Sequence, residues 1–182
     1  MRLFLLYYMW ILVTHFTCEY KMDHEISMFD VIANIMFLWS LKKCVASTPS
    51  RTPSKDHFCS ILRVDIGKHN HKSFILVCLY GTVGNCLASY RRIADVRSQH
   101  HRLDLFRVNL ISMYFVSTCV AFGGSFFLLF HIILLCQGVR SSTVCRKIFG
   151  KSRSRSSPVR AKIEYNFYDV FENAWWFWLI PN

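Results

Sequence analysis

Four long apolar stretches alternate with polar segments along the 182-residue chain, at residues 3–17, 26–41, 74–90 and 108–136. None of the four contains Lys or Arg. A membrane-spanning helix needs about 20 apolar residues, and about 17 is the lower limit. The fourth stretch is long enough for a tilted helix, and the third reaches the limit. The pattern therefore predicts an all-α membrane protein with four transmembrane helices.

The first two stretches leave alternatives open. A signal peptide is the alternative for residues 3–17, but residues 14–18 offer no small-x-small cleavage site, which favours a membrane anchor. Residues 26–41 carry Asp30 and Asn34, so a helix lying on the membrane surface is the alternative there.

Charges between the stretches predict which side of the membrane each segment faces, because cytosolic flanks collect Lys and Arg. The loop at residues 42–73 has seven Lys and Arg against two Asp, and the tail from residue 137 is also basic. The short loop at residues 18–25 is acidic. We therefore expect the 42–73 loop, the tail and both termini to be cytosolic. Five Arg at residues 91–107 oppose this orientation, and the two Asp among them offset it in part.

This topology divides the chain into four segments. Residues 1–43 hold spans 1 and 2 with a short luminal loop, and residues 44–73 form the cytosolic loop. Residues 74–137 hold spans 3 and 4 with a second luminal loop. Residues 138–182 form a basic cytosolic tail, whose clustered Trp near the C-terminus favour the membrane interface.

Composition supports the membrane and argues against nucleic acid as a partner. The chain is 53% hydrophobic with a mean hydropathy of +0.25, which is more apolar material than a soluble domain of this size buries. The net charge of +11 includes a basic run that starts at Arg140, directly after the fourth stretch. Such a position fits anionic lipid headgroups better than a nucleic-acid-binding arm. We expect membrane lipids, and no nucleic acid, as partners.

Eight cysteines raise the question of disulfides or metal sites. Four of them lie within or at the end of the apolar stretches, and no Cys-x-x-Cys pair occurs in the sequence. In a reducing cytosol, Cys44, Cys59 and Cys145 are expected to be free thiols.

Cys59 is the thiol with chemically suggestive neighbours, in the string Lys55-Asp56-His57-Phe58-Cys59. A base beside a thiol favours the nucleophilic thiolate, and a carboxylate orients and stabilises the resulting imidazolium. The string therefore predicts an acid, a base and a nucleophile for covalent catalysis, with a chance surface cluster as the alternative.

The same string resembles the Asp-His-His-Cys motif that names the DHHC family of protein S-acyltransferases. Asp56, His57 and Cys59 match the motif at three of its four positions. Three later positions of the family pattern also match, at Gly67, Asn70 and Phe74. Two spans before the loop and two after it are the arrangement of the family's core.

The tail carries weaker parts of the resemblance. Gly138 matches the start of the family's Thr-Thr-x-Glu segment, whose remainder has become residues 140–143, Arg-Ser-Ser-Thr. Residues 166–169 followed by Asn173 resemble the family's C-terminal Asn-Pro-Tyr-Asp element and its later Asn.

Departures from the family pattern fall on its zinc ligands. Phe58 replaces the second His of the motif, Asp65 replaces a Cys, and residues 45–54 lack the Cys-rich stretch that precedes the motif in the family. We therefore expect no bound metal. A leftover site is the alternative, formed by His57, Cys59, His69 and His71, but this spacing fits no known zinc pattern.

The resemblance implies a protein S-palmitoyltransferase that uses palmitoyl-CoA as acyl donor, requires no cofactor and acylates cysteines of cytosolic or membrane substrate proteins. It implies Cys59 as nucleophile, His57 as general base and Asp56 as the group that orients His57. The substrate-binding positions it implies are Asn70, Phe74 and Asn173. The endoplasmic reticulum or Golgi is the implied membrane. An inactive DHHC-like membrane scaffold and an unrelated small membrane adaptor are the alternatives.

Overall fold

Three long helices and one short hairpin make up most of the described structure. The computed structural model describes residues 9, 13, 17, 28–47, 55–98, 105–141, 144, 145, 148, 167–171 and 178–181. The elements are α1 (Met28–Ala46), β1 (Lys55–Cys59), β2 (Val64–Gly67), α2 (Lys68–Ser98), α3 (Leu105–Gln137) and α4 (Phe167–Phe171). The first predicted span lies outside the described residues except for Met9, Val13 and Thr17, which are helical.

Two helices are long and apolar enough to cross a membrane among the residues described. They are Lys68–Arg97 and Leu105–Gln137, whose most apolar 18-residue stretches have mean hydropathies of 1.4 and 2.3. Less than a third of each of these apolar stretches is buried within the protein, at 28% and 22%. Apolar side chains exposed to this extent are expected where lipid is the solvent. These helices contain the third and fourth predicted spans, while α1 contains most of the second.

Helix ends differ from the predicted span ends. In the predicted cytosolic loop at residues 44–73, the first residues belong to α1 and the last six belong to α2. The predicted luminal loop at residues 91–107 is mostly helical, because α2 continues to Ser98 and α3 starts at Leu105. Charged residues can extend a helix past its apolar part, since their long side chains reach away from the lipid. An apolar stretch therefore gives the position of a helix but not its ends.

The described residues divide into two compact units. The first contains residues 28–35, 79–98 and 105–126. Its buried Asp30, which weakened the second predicted span, forms an ion pair with Arg91 at 3.0 Å. Asn34 donates its amide to the Asp30 carbonyl at 2.7 Å. Pairing and local hydrogen bonds satisfy polar groups that would otherwise be costly in an apolar helix.

The second unit contains residues 36–47, 55–78 and 127–141 with the described part of the tail. Its core combines the hairpin residues Leu62, Val64 and Ile66 with buried side chains of the helices. In the tail, Phe167 and Phe171 stack at 4.5 Å between ring centroids, and Trp178 packs edge-on against Phe167 at 5.3 Å. The aromatic C-terminus thus packs against itself around α4.

α2 and α3 approach each other closely at Gly124, and this packing in the first unit can be tested by mutation. A Cβ added at Gly124 would lie 2.5 Å from Thr82 Oγ1, whereas one added at the adjacent Gly123 would meet nothing within 4 Å. Gly124→Ala should therefore lower the free energy of unfolding by about 1–3 kcal/mol through overpacking. Thermal unfolding in detergent micelles measures the effect.

Gly123→Ala is the matched control: it makes the same change in the same helix without the clash, so it should not lower the unfolding midpoint. Adding Thr82→Ala to Gly124→Ala should restore most of the loss, because it removes the clashing oxygen. Equal destabilisation by Gly123→Ala and Gly124→Ala would contradict this packing.

Candidate active site

A bulge in β1 places the acid, the base and the thiol on one side of the hairpin. Lys55 pairs with Gly67 and His57 pairs with Ile66, so Asp56 is an extra residue in the antiparallel ladder. Regular alternation would send Asp56 to the face opposite His57 and Cys59. A bulge re-aims a side chain in this way and is common beside active sites. Asp56 and Cys59 are both buried as a result, while the intervening Phe58 is exposed.

Asp56, His57 and Cys59 form a continuous hydrogen-bonded series. His57 Nδ1 lies 2.8 Å from Asp56 Oδ2, and hydrogen bonding with the His57 side chain opposes burial and lowers the pKa of the Cys59 thiol. Because Nδ1 is engaged by the carboxylate, Nε2 is the ring nitrogen left for the thiol. Carboxylate, imidazole and thiol in this order are the parts of an activated cysteine nucleophile.

The turn after β1 adds two backbone donors to the thiol. Backbone hydrogen bonding from Leu62 and Ile61 opposes the effect of burial and lowers the pKa of the Cys59 thiol. The turn closes with a hydrogen bond from the Arg63 N–H to the Cys59 carbonyl at 2.7 Å, and Arg63 takes a left-handed φ of 56°. Donors aimed at the sulfur stabilise its anionic form more than its neutral form.

Ser141 reaches Asp56 from the end of α3, 85 residues away in the chain. Its backbone N–H donates to Asp56 Oδ1 at 2.7 Å and its hydroxyl donates to Asp56 Oδ2 at 2.6 Å. Together with His57, it gives the buried carboxylate short hydrogen bonds on both oxygens. Charge-assisted bonds of this kind are the strong ones in proteins.

Gly138 provides the turn that brings Ser141 to this position. Its φ of +62° is left-handed, the Gly138 N–H donates to Leu135 O at 3.2 Å, and the Val139 N–H donates to Leu134 O at 3.0 Å. These bonds form a Schellman cap, which ends a helix and reverses the chain. Glycine takes the left-handed conformation without the steric cost of a Cβ, which explains the glycine at this point of the sequence.

Asn70 fixes the hairpin to α1 and α2. Its Oδ1 accepts the Gly67 N–H at 2.9 Å, which caps the start of α2, and its Nδ2 donates to Asp65 O at 2.9 Å and Cys44 O at 3.2 Å. Asn70 is fully buried. These contacts give it a structural role in holding the site together, and its predicted part in substrate binding stays a prediction.

Aromatic rings pack around the buried side of His57. Phe74 lies edge-on to His57 at 5.4 Å and to His131 at 5.0 Å, and Phe127 contacts both Phe74 and His131. His131 also packs against the His57 ring at 5.1 Å with an interplanar angle of 34°. The predicted site residue Phe74 therefore lies directly beside the base, whereas Asn173 is outside the described residues.

Electrostatics favour a charged pair of imidazolium and thiolate. Burial by itself disfavours the charged form of all three groups. For His57, the hydrogen bonds with Asp56 and Cys59 and their negative charges outweigh burial and raise its pKa to about 9. For Cys59, the hydrogen bonds from His57 and from the two backbone N–H groups outweigh burial and hold its pKa below the usual 9.0. The pKa of Asp56 is also lowered despite burial, because His57 and Ser141 hydrogen-bond its carboxylate.

The donor groups in the described part of the chain do not fit the zinc ions that the resemblance implies. Among the described residues, one group has metal-ligand atoms within 4.8 Å of one another, formed by Asp56, His71 and His131. Both oxygens of Asp56 already accept hydrogen bonds from Ser141 and His57. Phe58 and Asp65 occupy two positions where the resemblance expects zinc ligands. Phe58 is exposed, and Asp65 pairs with Lys55 at 2.6 Å.

Two site residues, Ser141 and His131, were missed by the sequence reasoning. Ser141 lies in the segment that resembles Thr-Thr-x-Glu, where Gly138 and the run of hydroxyl side chains were the available signal. His131 is the one histidine in the fourth apolar stretch, and an ionisable residue in such a stretch is by default a candidate for function.

Comparison with known proteins gives one family match. The model of the DHHC palmitoyltransferase family matches residues 50–148, which is 99 of the 182 residues and thus more than half of the chain. The matched region contains the hairpin, α2, α3 and the Ser141 turn. No curated protein matches the sequence significantly.

Thiol reactivity tests the charged pair at Cys59. The rate of Cys59 alkylation by iodoacetamide follows its thiolate, so its midpoint in pH should lie below 9.0. In Asp56→Asn the neutral amide no longer supports the charge on His57, the His57 pKa falls, and the alkylation midpoint should move upward. Mass spectrometry of the Cys59 peptide across pH measures both midpoints.

Asp65→Asn is the matched control, because it makes the same chemical change in the same hairpin at a carboxylate that pairs with Lys55 instead of His57. Its midpoint should equal that of the wild type. Equal shifts in the two variants would contradict a specific role for Asp56.

Proposed function

The chain belongs to the DHHC palmitoyltransferase family, and on that basis we propose that it is a protein S-palmitoyltransferase acting through an acyl-enzyme on Cys59. The donor is palmitoyl-CoA, and the acceptors are cysteines of cytosolic or membrane proteins. The observation that carries the proposal is the bulged hairpin, because it brings Asp56, His57 and Cys59 to one face in hydrogen-bonded order.

Acylation begins with attack of the Cys59 thiolate on the thioester carbonyl of the acyl-CoA. A new carbon–sulfur bond forms at Cys59, the bond to the CoA sulfur breaks, and His57 in its imidazolium form gives its proton to the departing thiolate. The now neutral His57 then takes a proton from the cysteine of the substrate protein. That sulfur attacks the acyl-enzyme and releases the Cys59 thiolate. Two easier steps replace one difficult one.

Asp56 and Ser141 act through His57 in this scheme. The Asp56 carboxylate orients His57 through the hydrogen bond at Nδ1 and supports the positive charge on His57. Ser141 fixes the carboxylate with two hydrogen bonds, so the acid, base and nucleophile are set before the acyl-CoA binds. Pre-set geometry of this kind lowers the barrier by avoiding reorganisation during the reaction.

A membrane protein suits this reaction because each buried CH2 of an acyl chain is worth about 0.8 kcal/mol relative to water. Two apolar helices and the family assignment support a membrane protein. We propose four spans with both termini and the hairpin in the cytosol, where acyl-CoA is found. Phe74 and Phe127 lie beside the catalytic residues and are suited to contact the acyl chain.

No metal cofactor is part of the proposal. The hairpin has other means of support in Asn70, in the Lys55–Asp65 ion pair and in the buried Leu62, Val64 and Ile66. A metal that used the Asp56 carboxylate would compete with the hydrogen bonds that Ser141 and His57 donate to it.

An inactive membrane scaffold is the second candidate, favoured by the replacement of family zinc ligands at Phe58 and Asp65. The two candidates differ in whether Cys59 becomes acylated: the enzyme forms an acyl-enzyme there, and an inactive scaffold does not.

Metabolic labelling with an alkyne analogue of palmitate separates them. The wild type should carry a label that hydroxylamine removes, as expected for a thioester, and Cys59→Ala should lose at least nine-tenths of it because the nucleophile is absent. Cys145→Ala, which removes an exposed free thiol, is the control and should keep the label. A label unchanged in Cys59→Ala would place the adduct elsewhere and contradict the mechanism.

Orientation is tested independently with glycosylation acceptors. An Asn-x-Ser/Thr acceptor inserted beside Ser50 should remain unmodified, because the proposal puts this segment in the cytosol. An acceptor beside Lys21, in the proposed luminal loop, is the matched positive control and should be glycosylated. Glycosylation beside Ser50 would put Cys59 on the side of the membrane away from acyl-CoA.

A further inference from the structure

His131 is a buried ionisable residue that the proposed mechanism does not use. It lies in α3 with 3% of its surface exposed, and its ring packs against His57, Phe74 and Phe127. Its Nδ1 atom is 3.3 Å from the Ser141 hydroxyl oxygen. A buried polar ring in contact with both the base and the residue that holds the acid is well placed to influence the site.

Proton counting fixes the direction of the contact between His131 and Ser141. The Ser141 hydroxyl has a single proton, and Asp56 Oδ2 at 2.6 Å is a carboxylate oxygen, which can only accept. Ser141 therefore donates to Asp56, and its oxygen can only accept from His131. His131 must then carry its proton on Nδ1.

We propose that His131 is a positioning residue for acyl transfer at Cys59, acting as the Nδ1–H tautomer that orients the Ser141 hydroxyl toward Asp56. The effect on acyl transfer rests on the proposed function, whereas the proton on Nδ1 follows from the hydrogen bonds alone. The complete series runs from His131 through Ser141, Asp56 and His57 to Cys59. Each bond in such a series polarises the next, and its loss weakens the others.

The same contacts argue against His131 as a metal ligand. A cation shared by Asp56, His71 and His131 would compete with Ser141 and His57 for the carboxylate oxygens. The hydrogen bonds already give these oxygens partners at 2.6–2.8 Å. The hydrogen-bonded series therefore gives the Asp56 carboxylate partners without an ion.

Asparagine and glutamine discriminate positioning from simple packing. The side-chain N–H of Asn lies where His has Nδ1, whereas that of Gln lies where His has Nε2. His131→Asn should therefore keep the Cys59 acylation rate within about threefold of the wild type. His131→Gln and His131→Leu, which lack a donor at the Nδ1 position, should acylate about tenfold more slowly, as expected for one lost buried hydrogen bond.

The pH midpoint of Cys59 alkylation is measured on the same variants, and it requires no acyltransferase activity. It should be unchanged in His131→Asn and raised in His131→Gln and His131→Leu, since Asp56 is held less well. Monodisperse elution in detergent confirms that each variant is folded. Equal behaviour of the Asn and Leu variants, whether both impaired or both normal, would overturn the proposal.

Nitrogen NMR of histidine-labelled protein in lipid bilayers tests the tautomer directly. The His131 signals, identified by their loss in His131→Asn, should show a protonated Nδ1 and an unprotonated Nε2, and Ser141→Ala should shift the Nδ1 signal. A protonated Nε2 with an unprotonated Nδ1 would overturn the proposal. A shift of the His131 signals on addition of EDTA would also overturn it, because it would indicate a bound metal ion. If Cys59 is never acylated, the proposed function fails while the tautomer remains testable here.

Discussion

A buried carboxylate needs donors on its oxygens, and the second unit of this protein is organised around supplying them to Asp56. The β1 bulge turns Asp56 inward, His57 donates from the next position in the strand, and Ser141 donates twice from beyond α3. An unpaired buried charge costs several kcal/mol, so these elements stabilise one another. The reactive state of Cys59 depends on this arrangement, because the charge on Asp56 supports the imidazolium that supports the thiolate.

The hairpin also shows how a small loop can be held without metal ligands. Asn70 connects three backbone groups, on β2, on the start of α2 and at the end of α1. Lys55 and Asp65 pair across the two strands, although this pair is partly exposed and contributes at most about 1 kcal/mol. Buried apolar residues and the Asn70 contacts therefore supply most of the support. This is the physical basis for proposing an active site in a member of the family whose zinc ligands have been replaced.

Local sequence predicted the part of the site that is local in structure. Asp56, His57 and Cys59 lie within four residues, so their chemistry could be inferred from the sequence, and α2 and α3 could be inferred from apolar stretches of sufficient length. The sequence offered signals for Ser141 and His131 as candidates, but not their contacts, because these depend on how α3 ends and packs. Asn70 illustrates a different difficulty: a position that matches a family motif was expected to bind substrate, yet its buried amide is engaged by the backbone. The family match over residues 50–148 confirms the resemblance, whereas the four spans and the site roles stay predictions.

We propose that hydrogen bonds among protein groups are sufficient to activate Cys59. The most direct test is acyl-enzyme formation by the purified full chain, incubated with palmitoyl-CoA in buffer treated with a strong metal chelator and analysed by peptide mass spectrometry. We expect about one thioester-linked acyl group per chain, on the Cys59 peptide, formed at the same rate whether or not zinc is restored. Acylation that appears only after zinc is added, or that occurs on a cysteine other than Cys59, would contradict it.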